Sequence, residues 1–83
     1  MKQLELLQYL EINFCLSICF IDELTLVAAA EFGNCIYKYT RKNEKSDDWT
    51  EDSKVEIDRP RVLRYSNGHL YVSCSLKLYL VNQ

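Results

Sequence analysis

The dipeptide Asn67-Gly68 most constrains the fold, because it stands between two runs of strand-forming residues. A two-residue β-hairpin of type I′ needs a positive φ at both central residues, which Asn and Gly adopt at low cost. The sequence therefore predicts an antiparallel hairpin over residues 61–75. The predicted register pairs Ser66 with His69, Tyr65 with Leu70, Arg64 with Tyr71 and Leu63 with Val72.

The two faces of this hairpin differ in polarity, since successive side chains of a strand point to opposite sides. One face is apolar and is expected to be buried; it carries Leu63, Tyr65, Leu70, Val72 and Cys74. The other face is more polar and carries Val62, Arg64, Ser66, His69, Tyr71 and Ser73. The pattern indicates a sheet with one side in a core.

An earlier stretch of the chain shows the same pattern at an offset of 44 residues, with residues 22–25 aligned on the turn at 66–69. At this offset Ile21 aligns with Tyr65, Leu26 with Leu70, Ala28 with Val72 and Ala30 with Cys74. Dropping two residues near Phe32 aligns residues 36–39 with residues 78–81. The sequence thus predicts a repeated unit of three strands joined by turns.

The segments IDELTLVAAAEFGNCIYKYTRK and PRVLRYSNGHLYVSCSLKLYLVNQ resemble consecutive blades of a β-propeller, closest to NHL-type or lactonase-like repeats. Such blades have four antiparallel strands and repeat every ~40 to 50 residues. The resemblance implies a mainly β fold, an antiparallel meander of about two propeller-like blades. It implies a single small domain over residues 1–83, with a first repeat at 14–58 and a partial second repeat at 59–83. Within it, residues 17–39 supply three strands of one blade, residues 54–57 its outer fourth strand, residues 61–81 three strands of the next, and residues 4–13 an outer strand of a preceding blade.

The N-terminal segment, residues 4–13, is also compatible with a helix. Leu4, Leu7, Leu10 and Phe14 fall at helical spacing, whereas residues 9–14 alternate as a strand does. The alternative architecture is therefore α+β, with an N-terminal helix packed on a five- or six-stranded antiparallel sheet.

Charge is concentrated in residues 41–59, which hold 5 of the 10 basic and 7 of the 12 acidic residues and so carry the whole net charge of −2. This polar stretch predicts a solvated loop followed by a short exposed strand that ends at Asp58, because Pro60 favours extended backbone before it and marks a break. The absence of excess positive charge argues against nucleic acid or an anionic membrane as a partner.

The four cysteines, Cys15, Cys19, Cys35 and Cys74, lie in apolar or β-branched runs. Their spacing contains one C-x3-C and no paired zinc knuckles, so the pattern favours buried free thiols over disulfides or a metal site. A reducing compartment, the cytoplasm, is the corresponding expectation. Glu5 and Glu11 interrupt any secretory leader, and no apolar run reaches the ~20 residues that span a bilayer.

Catalytic groups are sparse. His69 is the only imidazole, and Cys74 lies on the opposite face of the same strand, so we expect no catalytic residues, no metal, no cofactor and no enzymatic activity. The interaction candidates are the aromatic and arginine residues of the strands and the acidic loop, which are types enriched at protein interfaces: Tyr37, Tyr39, Trp49, Arg64 and Tyr71.

The sequence predicts a non-catalytic protein–protein interaction or scaffold module. It would be a propeller fragment or a self-assembling partial propeller, with a protein partner or a further copy of itself bound to it. The alternative is a propeller fragment of an enzyme or lectin that binds a small molecule or carbohydrate, with the strand tyrosines stacking on the ligand.

Overall fold

The computed structural model describes residues 3–12, 15–74 and 77–82. Those residues form two antiparallel sheets, with strand order β1-β2-β3-β4 in one and β5-β6-β7 in the other. The strands are β1 Cys15–Asp22, β2 Thr25–Ala30, β3 Cys35–Thr40, β4 Thr50–Glu56, β5 Val62–Ser66, β6 His69–Ser73 and β7 Leu78–Asn82. The mainly β prediction is confirmed, and the α+β alternative is wrong.

Residues 3–12 adopt neither a helix nor a strand. The predicted helix and the predicted outer strand over residues 4–13 are both wrong for this part, while Asn13 and Phe14 lie outside the described residues. The physical reason is a lack of packing: Leu4 and Leu7 of the predicted helical stripe are exposed, so the stripe has no surface to cover. A helix this short is marginal in water without such packing, and a strand needs neighbours. No helix in the described part of the chain is long and apolar enough to cross a membrane.

The predicted β5–β6 hairpin is confirmed in position and register. Ser66 pairs with His69 and Leu63 with Val72. Asn67 has a φ of 50° and Gly68 a φ of 83°, as a type I′ turn requires.

The β1–β2 hairpin turns at the position that the offset of 44 predicts, since Asp22 pairs with Thr25. It has no Asn-Gly pair, and instead the Leu24 N–H donates a hydrogen bond of 2.8 Å to Asp22 Oδ1, which stabilises the turn locally. The register shifts between Phe20 and Asp22, an irregularity that the β5–β6 hairpin lacks. As a result Leu26 and Ala28 point away from the core cluster, whereas Leu70 and Val72, with which the offset of 44 aligns them, belong to it, so that part of the predicted repeat is wrong.

Strand β4 forms the outer edge of the first sheet and pairs with β3. It starts at Thr50, four residues before the predicted start at Lys54, and its residues are exposed as predicted. Its charged side chains discourage pairing with another chain at this edge. The strand ends at Glu56, two residues before the predicted end at Asp58, and Arg59 has a φ of 48° rather than the extended backbone expected before the buried Pro60.

The core lies between the two sheets, where the apolar face of the β5–β6 hairpin packs against the first sheet. The buried cluster comprises Val27, Ala29, Ile36, Ile57, Leu63, Leu70 and Val72. Strand β5 lies beside β1, and the Leu63 N–H donates to Ser17 Oγ at 3.3 Å. The sheets are therefore closest at β1 and β5 and diverge toward β4 and β7.

Candidate interaction surfaces

Each sheet has one side in the core and one side directed away from the other sheet. We call the outward side of β1–β4 the first outer face and the outward side of β5–β7 the second outer face. Because side chains alternate along a strand, the residues of each outer face follow directly from the strand pairing.

The first outer face is built from two cross-strand rows: Ile18, Ala28 and Tyr37, and then Phe20, Leu26 and Tyr39. The side chains of β2 and β3 in these rows are buried or half-buried. Those of the edge strand are not, since Ile18 is 56% and Phe20 57% exposed. The open part of this face is therefore the apolar side of β1.

An aromatic and cationic cluster lies at the margin of the first outer face. The Phe20 and Trp49 rings meet edge to face with centroids 6.1 Å apart. The Arg41 guanidinium lies 4.7 Å from the Trp49 ring centroid, within the range of a cation–π interaction. Arg41 also donates from Nε to the Glu23 carbonyl at 2.7 Å and from Nη1 to the Ser46 carbonyl at 3.3 Å.

The Gln8 side chain attaches the N-terminal segment to the same loop. Gln8 Nε2 donates to the Trp49 carbonyl at 3.0 Å, and the Trp49 N–H donates to Gln8 Oε1 at 2.8 Å. The amide thus satisfies both backbone groups of Trp49, in the manner of a neighbouring strand.

Tyr37 and Tyr39 share the first outer face as predicted, with ring centroids 6.4 Å apart. Tyr39 is buried, and this burial raises the pKa of its hydroxyl above the ordinary value of 10.0, with a further contribution from the Glu51 carboxylate. Tyr37 is half-buried. The pair therefore belongs to the packed part of this face.

The second outer face exposes large apolar side chains from all three strands. Leu78 is 67% and Leu80 59% exposed, and Val62 and Tyr71 are also exposed. Its rows are Val62, Ser73 and Leu78, and then Arg64, Tyr71 and Leu80.

The structure brings four of the five predicted interaction residues together in two pairs: Tyr37 lies beside Tyr39, and Arg64 pairs across strands with Tyr71. The fifth, Trp49, packs instead against Phe20, which was not predicted. Sequence reasoning missed the exposed residues Ile18, Phe20, Leu78 and Leu80. The alternation of apolar residues along β1 and β7 was the available signal, but the candidates were chosen for their aromatic or arginine side chains.

The acidic loop forms a cleft of about 620 Å³ with the β1–β2 turn, lined by Asp22, Glu23 and Leu24 and by residues 42–45. A hydrogen bond with the Glu44 side chain raises the pKa of Glu23, and Arg41 opposes that rise. Among the described residues, no group of three or more His, Cys, Asp or Glu side chains is arranged to hold a metal ion.

All four cysteines carry free thiols, but they are not all buried. Cys35 is buried and Cys19 and Cys74 are half-buried, whereas Cys15 is exposed because it begins the edge strand β1. Burial raises the pKa of the Cys74 thiol, and Asp58 raises it further. The prediction of buried thiols is therefore wrong for Cys15.

Comparison with known proteins found no protein family, no curated protein and no solved structure that matches the chain. The candidate surfaces therefore rest on the geometry of the described residues.

Proposed function

We propose that the chain is a non-catalytic protein-interaction or scaffold module whose binding surfaces are the two outer faces. The observation that carries this proposal is the exposure of Leu78 and Leu80 on the second outer face, matched by Ile18 and Phe20 on the first. Monomeric proteins rarely expose large contiguous apolar patches, and those that do usually bind another protein there. Arg64 and Tyr71 on the second outer face belong to residue types that often dominate binding energy.

The arrangement of the sheets supports the predicted relation to propellers. Two antiparallel meanders lie face to face, with the first strand of one beside the first strand of the other. In a propeller, every blade has a neighbouring blade on both sides. A unit of fewer than two blades therefore leaves two blade faces without a neighbour. Further blades, a partner protein or further copies of the chain would all supply such cover. Free thiols are in keeping with the cytoplasm as its location.

The alternative, a site for a small molecule or carbohydrate, has less support. Tyr39 is buried, so the tyrosine pair does not offer an open stacking surface. The cavity between the sheets measures about 110 Å³, whereas ligand pockets usually enclose about 300 Å³ or more. The cleft of about 620 Å³ beside the β1–β2 turn is large enough, but every residue that lines it is exposed, whereas ligand pockets bury most of the ligand among apolar side chains.

The proposal is tested by photo-cross-linking in cells that express the full chain. A photoreactive benzoylphenylalanine is introduced in place of Ile18 or Leu80, and in place of Lys45 as an exposed polar control. We expect covalent protein adducts from positions 18 and 80 and far fewer from position 45. Adding Leu78→Glu should reduce the adducts from position 80, because a carboxylate in the apolar patch disfavours burial. Equal or absent adducts at all three positions would overturn the proposal.

A further inference from the structure

We propose that the free edge of β7 accepts an additional β-strand, and that this strand is the N-terminal segment, residues 3–12, of a second copy of the chain. This inference rests on the proposed function, since it identifies one partner of the same module. It is carried by a different feature, the unequal number of strands in the two sheets.

The second sheet lacks the strand that corresponds to β4. An offset of 42 residues places β3 on residues 77–82, which contain β7. Strand β3 pairs with β2 on one side and β4 on the other, whereas β7 pairs with β6 alone among the described strands.

The backbone of β7 has hydrogen-bonding groups available at this edge. The Cys74 N–H donates to the Lys77 carbonyl at 2.8 Å, so Lys77, Tyr79 and Val81 direct their backbone groups toward β6. By the alternation of an antiparallel ladder, Leu78, Leu80 and Asn82 direct theirs outward. Three consecutive outward positions are enough to template a short strand.

A groove beside this edge continues the core. The cavity of about 110 Å³ is lined by apolar residues of both sheets: Ile21, Val27, Ile36, Val55, Leu70 and Val81. Val55 pairs with Ile36, yet it is 44% exposed while Ile36 is 4% exposed. A fourth strand next to β7 would cover Val55 and extend the existing contact between the sheets.

The N-terminal segment has the composition that this groove requires. Its even positions are apolar except for Gln8: Leu4, Leu6, Leu10 and Ile12. Leu4 and Leu6 are exposed, and the ten residues exceed the usual length of a strand. Glu5 and Glu11 occupy odd positions, so in a strand they point away from the groove, toward solvent on the side of the second outer face. The segment therefore has the alternation of a strand with one side in a core.

A segment from a second copy fits better than the chain's own segment. Gln8 is held by Trp49, which packs on Phe20 at the first outer face. The edge of β7 lies on the opposite side of the first sheet. Exchange between copies is head-to-tail, because each chain donates at one end and accepts at the other.

The test uses the purified full chain and two kinds of variant. Leu80→Pro removes an outward N–H from β7 but no ladder bond to β6, a position where edge strands tolerate Pro. Leu80→Ala is its matched control, because it also loses the leucine side chain but keeps the N–H. The double variant Leu4→Lys and Leu6→Lys alters only exposed side chains of the donor segment, so it should leave folding unchanged.

We expect the average mass of the wild-type chain in sedimentation velocity to rise with concentration. Self-association should be weakened at least about tenfold in Leu80→Pro and in the double lysine variant. Leu80→Ala should stay nearer the wild type. An equimolar mixture of the two weak variants should restore a dimer, since one keeps the acceptor edge and the other the donor segment. Hydrogen exchange should show protection of the Leu78 and Leu80 amides upon association.

A wild-type chain that stays monomeric overturns this inference, as does association unaffected by either variant. In the second case, loss of association in Leu78→Glu would assign the contact to the second outer face, so the proposed function would stand without strand exchange. Absent adducts in the photo-cross-linking experiment would instead remove the proposed function itself.

Discussion

The Arg41 guanidinium stacks over the Trp49 ring at 4.7 Å and so connects the β1–β2 turn with the start of β4. The same side chain donates to the carbonyls of Glu23 and Ser46, and the Arg41 N–H donates to the Leu24 carbonyl at 3.1 Å. One residue thus organises a loop whose composition suggested only a solvated excursion.

Replacing Arg41 should therefore destabilise the fold more than replacing another cation of the same loop. Arg41→Ala removes the stacking on Trp49 and two hydrogen bonds, and we expect it to lower the free energy of unfolding by about 1 to 3 kcal/mol. Lys42→Ala, an exposed neighbour, should change it by less than about 0.5 kcal/mol. Urea denaturation measures both, and equal effects would contradict the role assigned to Arg41.

Val72 and Val62 provide a matched pair for the core. Val72 is 0% exposed between the sheets, whereas Val62 is 48% exposed on the second outer face. Val72→Ala leaves a cavity and should cost about 1.5 to 3 kcal/mol of unfolding free energy, while Val62→Ala should cost under about 0.5 kcal/mol. Similar midpoints in urea denaturation for the two variants would show that the sheets do not pack as described.

Gly68 tests the turn that set the register of the hairpin. It has a φ of 83° and no atom within 4 Å of an added Cβ, so Gly68→Ala meets a backbone penalty and no clash. We expect a loss of about 1 to 2 kcal/mol in unfolding free energy. Asn67→Gly, at the adjacent position with a φ of 50°, should be nearly neutral because glycine adopts positive φ freely. Thermal unfolding distinguishes the two, and a neutral Gly68→Ala would argue against the turn type.

Local signals predicted the β5–β6 hairpin in full, because turn chemistry and side-chain alternation act over a few residues. They gave the first strands less accurately, since the β1–β2 hairpin has a register shift that depends on packing and has no turn residue to mark it. They were wrong for residues 3–12, where the spacing of leucines indicates order that only a packing surface would provide. Which apolar residues remain exposed was also beyond the sequence, because Ile18 and Ala28 lie in one row, and Ile18 is exposed since its strand β1 is at the sheet edge.

Alkaline pH should weaken the fold through Tyr39. Its pKa is raised in the folded state above the ordinary value of 10.0, chiefly by burial. As pH approaches and passes 10, the unfolded chain releases this proton while the folded chain retains it. The unfolded state then binds fewer protons, so stability falls as pH rises through this window.

Tyr39→Phe checks that assignment, because it removes the ionising group and keeps the ring. The variant should lose less stability than the wild type between neutral pH and pH values above 10, as measured by urea denaturation at each pH. The Cys74 thiol, whose pKa is also raised, is common to both proteins and cancels in the comparison. An identical decline in the two proteins would exclude Tyr39 as the source.

Gln8 controls how firmly the N-terminal segment is held. Gln8→Ala removes both hydrogen bonds to the Trp49 backbone, and Gln8→Glu keeps an acceptor for the Trp49 N–H but loses the donor to the Trp49 carbonyl. At low protein concentration, hydrogen exchange of the Trp49 amide should be fastest in Gln8→Ala, intermediate in Gln8→Glu and slowest in the wild type. The free energy of unfolding should fall by about 1 kcal/mol or less in Gln8→Glu and by about 2 kcal/mol or less in Gln8→Ala, since each net hydrogen bond contributes about 1 kcal/mol or less at a partly exposed site.

Gln3→Ala, at an exposed position of the same segment, is the control and should leave the Trp49 amide unchanged. If the segment is also the strand that a second copy accepts, its release from Trp49 should make it a better donor. Gln8→Ala should then self-associate more strongly than the wild type at equal concentration. If hydrogen exchange of the Trp49 amide becomes faster with no gain in self-association, attachment of the segment and strand donation are separate properties. Attachment would depend on Gln8, and donation on the edge of β7.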